Sequence, residues 1–216
     1  MPKFMKPVIV IILAVGVAAG AAVFLSRGSD QPVENPSTPS RAEIKPGGHS
    51  RGPQNAPVTL VEFGDYECPV CGTWYPFVNE LLTRYPDKLR LEFHHYPLVS
   101  VHPNAMAGAM AAEAAGEQGK YWEMHDALFE HQREWGESPN PKPYFMNFAS
   151  HIGLDLNRFE QSLSSPGLQS RILTDVSQAQ DLHIEGTPTF FLNGQLIQPK
   201  LNMEELVQLV ETRLHK

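Results

Sequence analysis

The sequence predicts a mixed α/β domain with a helical insertion between its two halves, carried behind an N-terminal signal-anchor helix. Three observations carry this expectation. A strand–helix–strand pattern over about residues 58–93 is separated by a long helical stretch from a C-terminal hairpin and helix. The first of those helices opens on Cys68 and Cys71, the only two cysteines in a chain of 216 residues. An uncharged apolar run behind two lysines dominates the first 25 residues.

That run extends from Val8 to Leu25, 18 residues without a polar side chain, preceded by Lys3 and Lys6. Spanning a bilayer takes roughly 17–25 residues, whereas the apolar core of a cleaved signal peptide is about 7–15. The length favours an uncleaved anchor, although the small residues of Ala18–Ala22 would also suit cleavage. The two lysines place the N-terminus in the cytoplasm and the rest of the chain outside it. Ser26 to about Ala56 follows, with Pro32, Pro36, Pro39, Pro46 and Pro53 and almost no large apolar residue. Such a stretch buries too little to order itself, and it is expected to be a tether.

The folded part begins with Val58–Phe63, a run of β-type residues. Gly64–Glu67 makes a loop, and from Cys71 onward Trp74, Phe77, Val78, Leu81 and Tyr85 recur at helical spacing. Pro76 inside this helix predicts a kink, and Pro86-Asp87 ends it. Leu89–Phe93 alternates as a second strand. His102-Pro103-Asn104 then opens an Ala-rich helix to about Gln118, followed by a helix from Tyr121 to about His131. Pro139, Pro141 and Pro143 break the chain before two shorter helices, 143–152 and 155–163, the second with Asp155 as N-cap. Leu168, Ile172, Val176, Ala179 and Leu182 mark one more helix. Thr189–Leu192 and Gln195–Ile197 flank Asn193-Gly194, a hairpin signal, and Asn202 can cap a last helix through Leu214.

Composition is that of an ordinary globular protein, 42% hydrophobic and 19% charged. A net charge of −7 gives no electrostatic support for a nucleic-acid partner. A disulfide across three positions constrains almost nothing in the unfolded chain, so the cysteine pair is not structural. Zinc needs four ligands, and no second cysteine pair joins His94, His95 or His102 to complete a site. Haem attachment needs histidine after the second cysteine, where Gly72 stands. No cofactor or metal is expected. Redox chemistry fits better. Cys68 lies where loop meets helix, and unpaired N–H groups there stabilise a thiolate, the nucleophile of disulfide exchange. Cys71, about one turn further on, is placed to resolve a mixed disulfide. Export strengthens this reading, because disulfide chemistry belongs in oxidising compartments.

Cys68-Pro-Val-Cys71 after a strand, with Gly186-Thr187-Pro188-Thr189-Phe190 far downstream, resembles the DsbA-like thioredoxin-fold proteins. The stretches Phe63–Cys71 and His102–Glu113 are similar in particular to the membrane-anchored DsbA-type oxidoreductases of bacteria. The resemblance covers about Gly52 to the C-terminus. It implies a thioredoxin fold divided into residues 52–97 and 169–216 by a helical insertion, 98–168, behind an anchor or signal peptide (1–25) and a linker (26–51). It implies a cis Thr187–Pro188 bond lying against Cys68, with the Thr187 backbone presented to an extended substrate strand. It also implies that Glu62 lies beneath the site and relays protons to the buried cysteine. Val58, Leu60 and Glu62 share one strand face, Val61 and Phe63 the other, and both read as buried.

Val70 departs from the best-known oxidants of the family, which carry histidine there; it offers neither charge nor hydrogen bond. The dipeptide itself therefore does not argue for a strongly depressed Cys68. The expected function is a dithiol oxidase for exported, reduced proteins, reoxidised by a membrane quinone-linked partner. A reductase fed with electrons across the membrane is the alternative, and a binding or chaperone-like module with incidental cysteines the third. Asp65 and Glu67 read as solvated loop residues, and His125, His131, His151 and His183 as packing or surface residues. Trp122, Phe129, Phe145 and Phe148 read as insertion core, and Met106, Met110 and Met124 as filler.

Overall fold

The computed structural model describes residues 42–197 and 202–215. The expected anchor (1–25) and most of the expected linker lie outside the described residues. Among the described residues, no helix is long and apolar enough to cross a membrane.

Five strands form one sheet, in the order β1 (His49–Arg51), β3 (Leu89–His95), β2 (Val58–Gly64), β4 (Thr189–Leu192), β5 (Gln195–Leu196). β2 (Val58–Gly64) and β3 (Leu89–His95) are parallel and joined by α1 (Pro69–Arg84). β4 (Thr189–Leu192) lies antiparallel to β2, with Glu62 opposite Phe190 and Phe63 opposite Thr189. β5 (Gln195–Leu196) closes that edge through the predicted turn. Asn193 and Gly194 both have positive φ, 49° and 79°, as a two-residue hairpin turn of the favoured hand requires.

The central strand β2 is buried on both faces, as its apolar alternation predicts. Val58 and Leu60 pack with Val78 and Leu81 of α1 and with Leu206 and Val210 of α8 (Met203–Leu214). Val61 and Phe63 pack with Ala179 of α7 (Pro166–Asp181) and with Ile184 and Phe191 on the other side. Each such side chain contributes about 1.5–3 kcal/mol by leaving water. Asn202 caps α8 in a full capping box with Glu205. α1 continues through Pro76 without interruption.

Between β3 and α7 come α2 (Ala105–Gly116), α3 (Tyr121–Glu130), α4 (Gln132–Gly136), α5 (Lys142–His151) and α6 (Leu156–Ser162). Their core gathers Met124, Leu128, Phe129, Trp135, Phe145, Phe148 and Phe159. Asp155 caps α6 by accepting from the Arg158 N–H.

The end of the stretch expected to be linker is ordered. His49–Arg51 forms β1, the edge strand antiparallel to β3. Local sequence could not reveal it, because its anchors are distant. Arg51 pairs with Asp126 at 2.7 Å and stacks over Trp122, whose Nε1 donates to Ser50 O. Trp122 packs against the insertion core, as expected, and is partly buried under this strand.

Candidate active site

Cys68 is the N-cap residue of α1, and Pro69 fills the first helical position. No side chain caps the helix, and the N–H groups of Val70 and Cys71 in its first turn help to stabilise the Cys68 thiolate. The Cys68 thiol donates to Thr187 O at 3.3 Å. Cys71 is fully buried, while Cys68 retains 5% exposure.

The two thiols are held far apart in acidity. A hydrogen bond from the Cys71 thiol holds Cys68 down to about 5, against the opposing effect of burial and with help from Thr187 and the two N–H groups. Burial pushes Cys71 well up, reinforced by its hydrogen bond to Cys68 and by the nearby Glu62 charge. The depression of Cys68 comes from the helix terminus and the partner thiol. It needs nothing from the side chain of Val70, which is exposed.

The Thr187–Pro188 bond is cis, as the family resemblance implies. The Thr187 hydroxyl is buried without a hydrogen-bond partner. With Cys68 ionised, Thr187 O loses its donor, and this hydroxyl is the Thr187 side-chain group able to donate to sulfur. Glu62 is buried on the strand face beneath α1. Burial pushes its carboxyl up to about 8, with a smaller push from Cys68. The structure therefore brings Cys68, Cys71, Thr187, Pro188 and Glu62 around one helix terminus. Beside it runs an apolar groove of about 590 Å³ lined by Val70, Trp74, Pro188, Phe190 and Leu196.

Asp65 is a correction. It is 1% exposed, not solvated. Its carboxylate accepts from the Glu67 N–H at 2.8 Å, the Leu98 N–H at 2.9 Å and His102 Nδ1 at 2.7 Å, and its carbonyl accepts from the Cys68 N–H at 3.1 Å. It ties the active-site turn to the loop after β3. Glu67 also has a partner, accepting from the Asn104 N–H at 2.6 Å. His125 is buried and bonds to the Tyr66 hydroxyl at 3.0 Å, in keeping with a packing role. The sequence signal for Asp65 is its place three residues before Cys68; Leu98 and His102, which bury its carboxylate, lie over 30 residues away.

Glu113, hidden in an Ala-rich helix, is fully buried. His49 Nε2 and His95 Nε2 reach its Oε1 at 2.8 and 3.1 Å, and Arg171 Nη1 donates to Oε2 at 2.7 Å. Burial alone would raise this carboxyl, but the two histidines hold it well below the usual range. His49, His95 and Glu113 have ligand-type atoms within 4.8 Å of one another. Arg171 meets the buried charge, and the cluster is a polar network that fastens β1 and α7 to α2.

Comparison with known proteins agrees with this geometry. A family model described as Thioredoxin matches residues 45–212. Among curated proteins, the Na(+)/H(+) antiporter NhaA 1 of Salinispora arenicola is 46% identical over 158 residues, 73% of this chain and 23% of that protein. NhaA 1 of Mycobacterium sp. (strain KMS) is 35% identical over 167 residues, 76% of this chain and 26% of that protein. The chain spans about a quarter of the length of these relatives. Among solved structures, a thioredoxin-like oxidoreductase from Silicibacter pomeroyi is 28% identical with a TM-score of 0.66, covering 80% of this chain and 95% of that one. BdbD from Bacillus subtilis, at 24% identity, has a TM-score of 0.70 over 82% of this chain and 98% of that one. α-DsbA1 of Wolbachia pipientis, at 18%, has 0.70 over 80% and 93%. The last two likenesses establish a shared fold with an inserted helical domain.

Proposed function

Because the chain belongs to the thioredoxin family, which its sequence matches from residue 45 to residue 212, we propose that it is a thiol–disulfide oxidoreductase that forms disulfides in exported proteins. The observation that carries this is the asymmetry of the pair: a nucleophilic Cys68 held to about 5 beside a buried Cys71 held up.

The chemistry follows from that asymmetry. In the oxidised protein a substrate thiolate attacks the Cys68 sulfur. A Cys68–substrate disulfide forms, and Cys71 leaves with the electron pair. As a buried thiolate Cys71 is strongly basic, and Glu62, held up to about 8, is a proton source of suitable acidity beneath it. A second substrate thiolate then attacks the substrate sulfur, closing the substrate disulfide and releasing Cys68 as a thiolate. Cys68 is a good leaving group because its anion is stabilised, and this favours the oxidising direction. Thr187 and Pro188 form the opposite wall, and the apolar groove beside them suits an extended segment of unfolded chain.

The 18-residue apolar run behind Lys3 and Lys6 supports tethering outside the cytoplasm. Reoxidation then falls to a membrane partner that passes electrons to a quinone. Mixing the oxidised protein with a reduced, unfolded secretory protein tests the direction. Disulfides are expected to appear in the substrate as the Cys68–Cys71 disulfide disappears, counted by alkylation and mass spectrometry. A substrate that stays reduced over the same period would contradict it.

A further inference from the structure

One side chain of the inserted helices reaches the backbone carbonyls of the active-site turn. Gln132, half-buried at the start of α4, donates its Nε2 to two carbonyls of that turn, Tyr66 O and Cys68 O, each at 2.8 Å. Both partners are acceptors, so the amide orientation is fixed by chemistry: nitrogen must face them. Cys68 O also accepts from the Gly72 N–H at 3.1 Å, the first hydrogen bond of α1.

The sequence leaves room for this amide in a specific way. A Cβ added to Gly72 would lie 2.9 Å from Gln132 Cδ and 3.0 Å from its Nε2, and nearer still to its Oε1. Gly72 is inside a helix, where glycine costs about 1 kcal/mol relative to alanine. That cost has a counterpart in the seat it gives to the Gln132 amide.

We infer that Gln132 is a positioning residue for Cys68, through which the helical insertion sets the reactivity of the redox pair. Resting on the oxidoreductase reading, it adds a residue outside the Cys-x-x-Cys motif and the Thr-Pro wall. The physical route is short. The N–H groups of Val70 and Cys71, in the first turn of α1, help stabilise the Cys68 thiolate, and how well they face it depends on how the Cys68 peptide is turned. Gln132 holds the carbonyls on both sides of that position, Tyr66 and Cys68. It also partly neutralises the Cys68 carbonyl oxygen, a negative dipole end close to the thiolate. Without it the turn relaxes, the thiolate is less well held, and the reduced form loses stabilisation relative to the disulfide.

Two variants read this independently. Gln132→Met keeps length and apolar packing but removes both donors. Gly72→Ala leaves Gln132 in place but occupies its seat, and on helix propensity alone it stabilises the fold. In each, ultraviolet titration of the Cys68 thiolate in the reduced full-length protein is expected to show a higher midpoint than wild type. The equilibrium constant with glutathione is expected to shift about tenfold toward a weaker oxidant, about 30 mV. The double variant is expected to show no more than the larger single effect, since both act through one contact. Wild-type midpoints in the single variants, or additive effects in the double, would overturn the inference, as would a loss of thermal stability with an unchanged midpoint. The titration does not depend on exchange, so failure of the wild-type pair to exchange would be a separate result, against the oxidoreductase reading itself.

Discussion

Replacing Cys71 with serine is expected to leave the protein covalently joined to its substrates, while replacing Cys68 with serine abolishes exchange. The two cysteines have different chemical situations, and the difference dictates the outcome. Cys68 has the lowered thiol and the residual exposure, so it alone meets the substrate. Its loss removes the covalent nucleophile, an effect of at least about 10³-fold on this scale of catalysis. Cys71 is fully enclosed and its thiol is pushed well up, so it acts only on a disulfide already formed at Cys68. With serine there, Cys68 still attacks substrate disulfides, and nothing inside the protein resolves the product. Non-reducing electrophoresis should show mixed-disulfide adducts for Cys71→Ser and none for Cys68→Ser. Adducts in equal amount from both variants would contradict the assignment of roles.

Glu62 sets the second large effect, on stability rather than turnover. Its carboxyl is held up to about 8, chiefly by burial, against an ordinary value of 4.5. Between those values the unfolded chain has released the proton and the folded protein keeps it. The native state then binds more protons, so stability falls as pH rises through this window. At 1.36 kcal/mol per unit, the loss reaches about 4–5 kcal/mol near pH 8. Cys68 works in the opposite sense. Its depressed thiol contributes stability above its unfolded value, and that contribution is lost as pH falls through about 5. Wild type should therefore show a shallow profile made of two opposed slopes. Glu62→Gln removes the falling one and keeps the shape of the side chain. Unfolding free energies of the reduced proteins, from urea titrations, should diverge in favour of the variant from about pH 5 to pH 8, by several kcal/mol at the upper end. A constant difference across that range would show that Glu62 does not titrate there.

Much of this site was legible in the chain because its signals are local. Cys68 and Cys71 are separated by one turn, and Pro69 marks the helix start; the Asn193-Gly194 turn and the Asn202 cap are likewise written in neighbouring residues. Glu62 could be read because it interrupts a strand whose other residues alternate between two buried faces. What escaped depends on contacts across long sequence separations. Asp65 looks like a loop acid until Leu98 and His102 are folded onto it. Gln132 is one polar residue among many in the insertion, and only the approach of α4 to the turn gives it two carbonyls to hold. β1 has no apolar alternation at all; His49 and Arg51 owe their order to Glu113 and Asp126. The helix start announces a lowered Cys68, but not the share that the partner thiol and Thr187 contribute. The side chain at position 70 is silent, and the stabilisation comes from backbone N–H groups, Thr187 and the partner thiol.

The reduction potential of the Cys68–Cys71 pair, measured by equilibrating the purified protein with glutathione and counting free thiols after alkylation, tests the central claim most directly. A thiolate stabilised in the reduced state predicts a reversible couple well above about −270 mV, toward the oxidising end near about −120 mV. A couple at about −270 mV would make the protein a reductase, and cysteines that never exchange with glutathione would remove the redox role altogether.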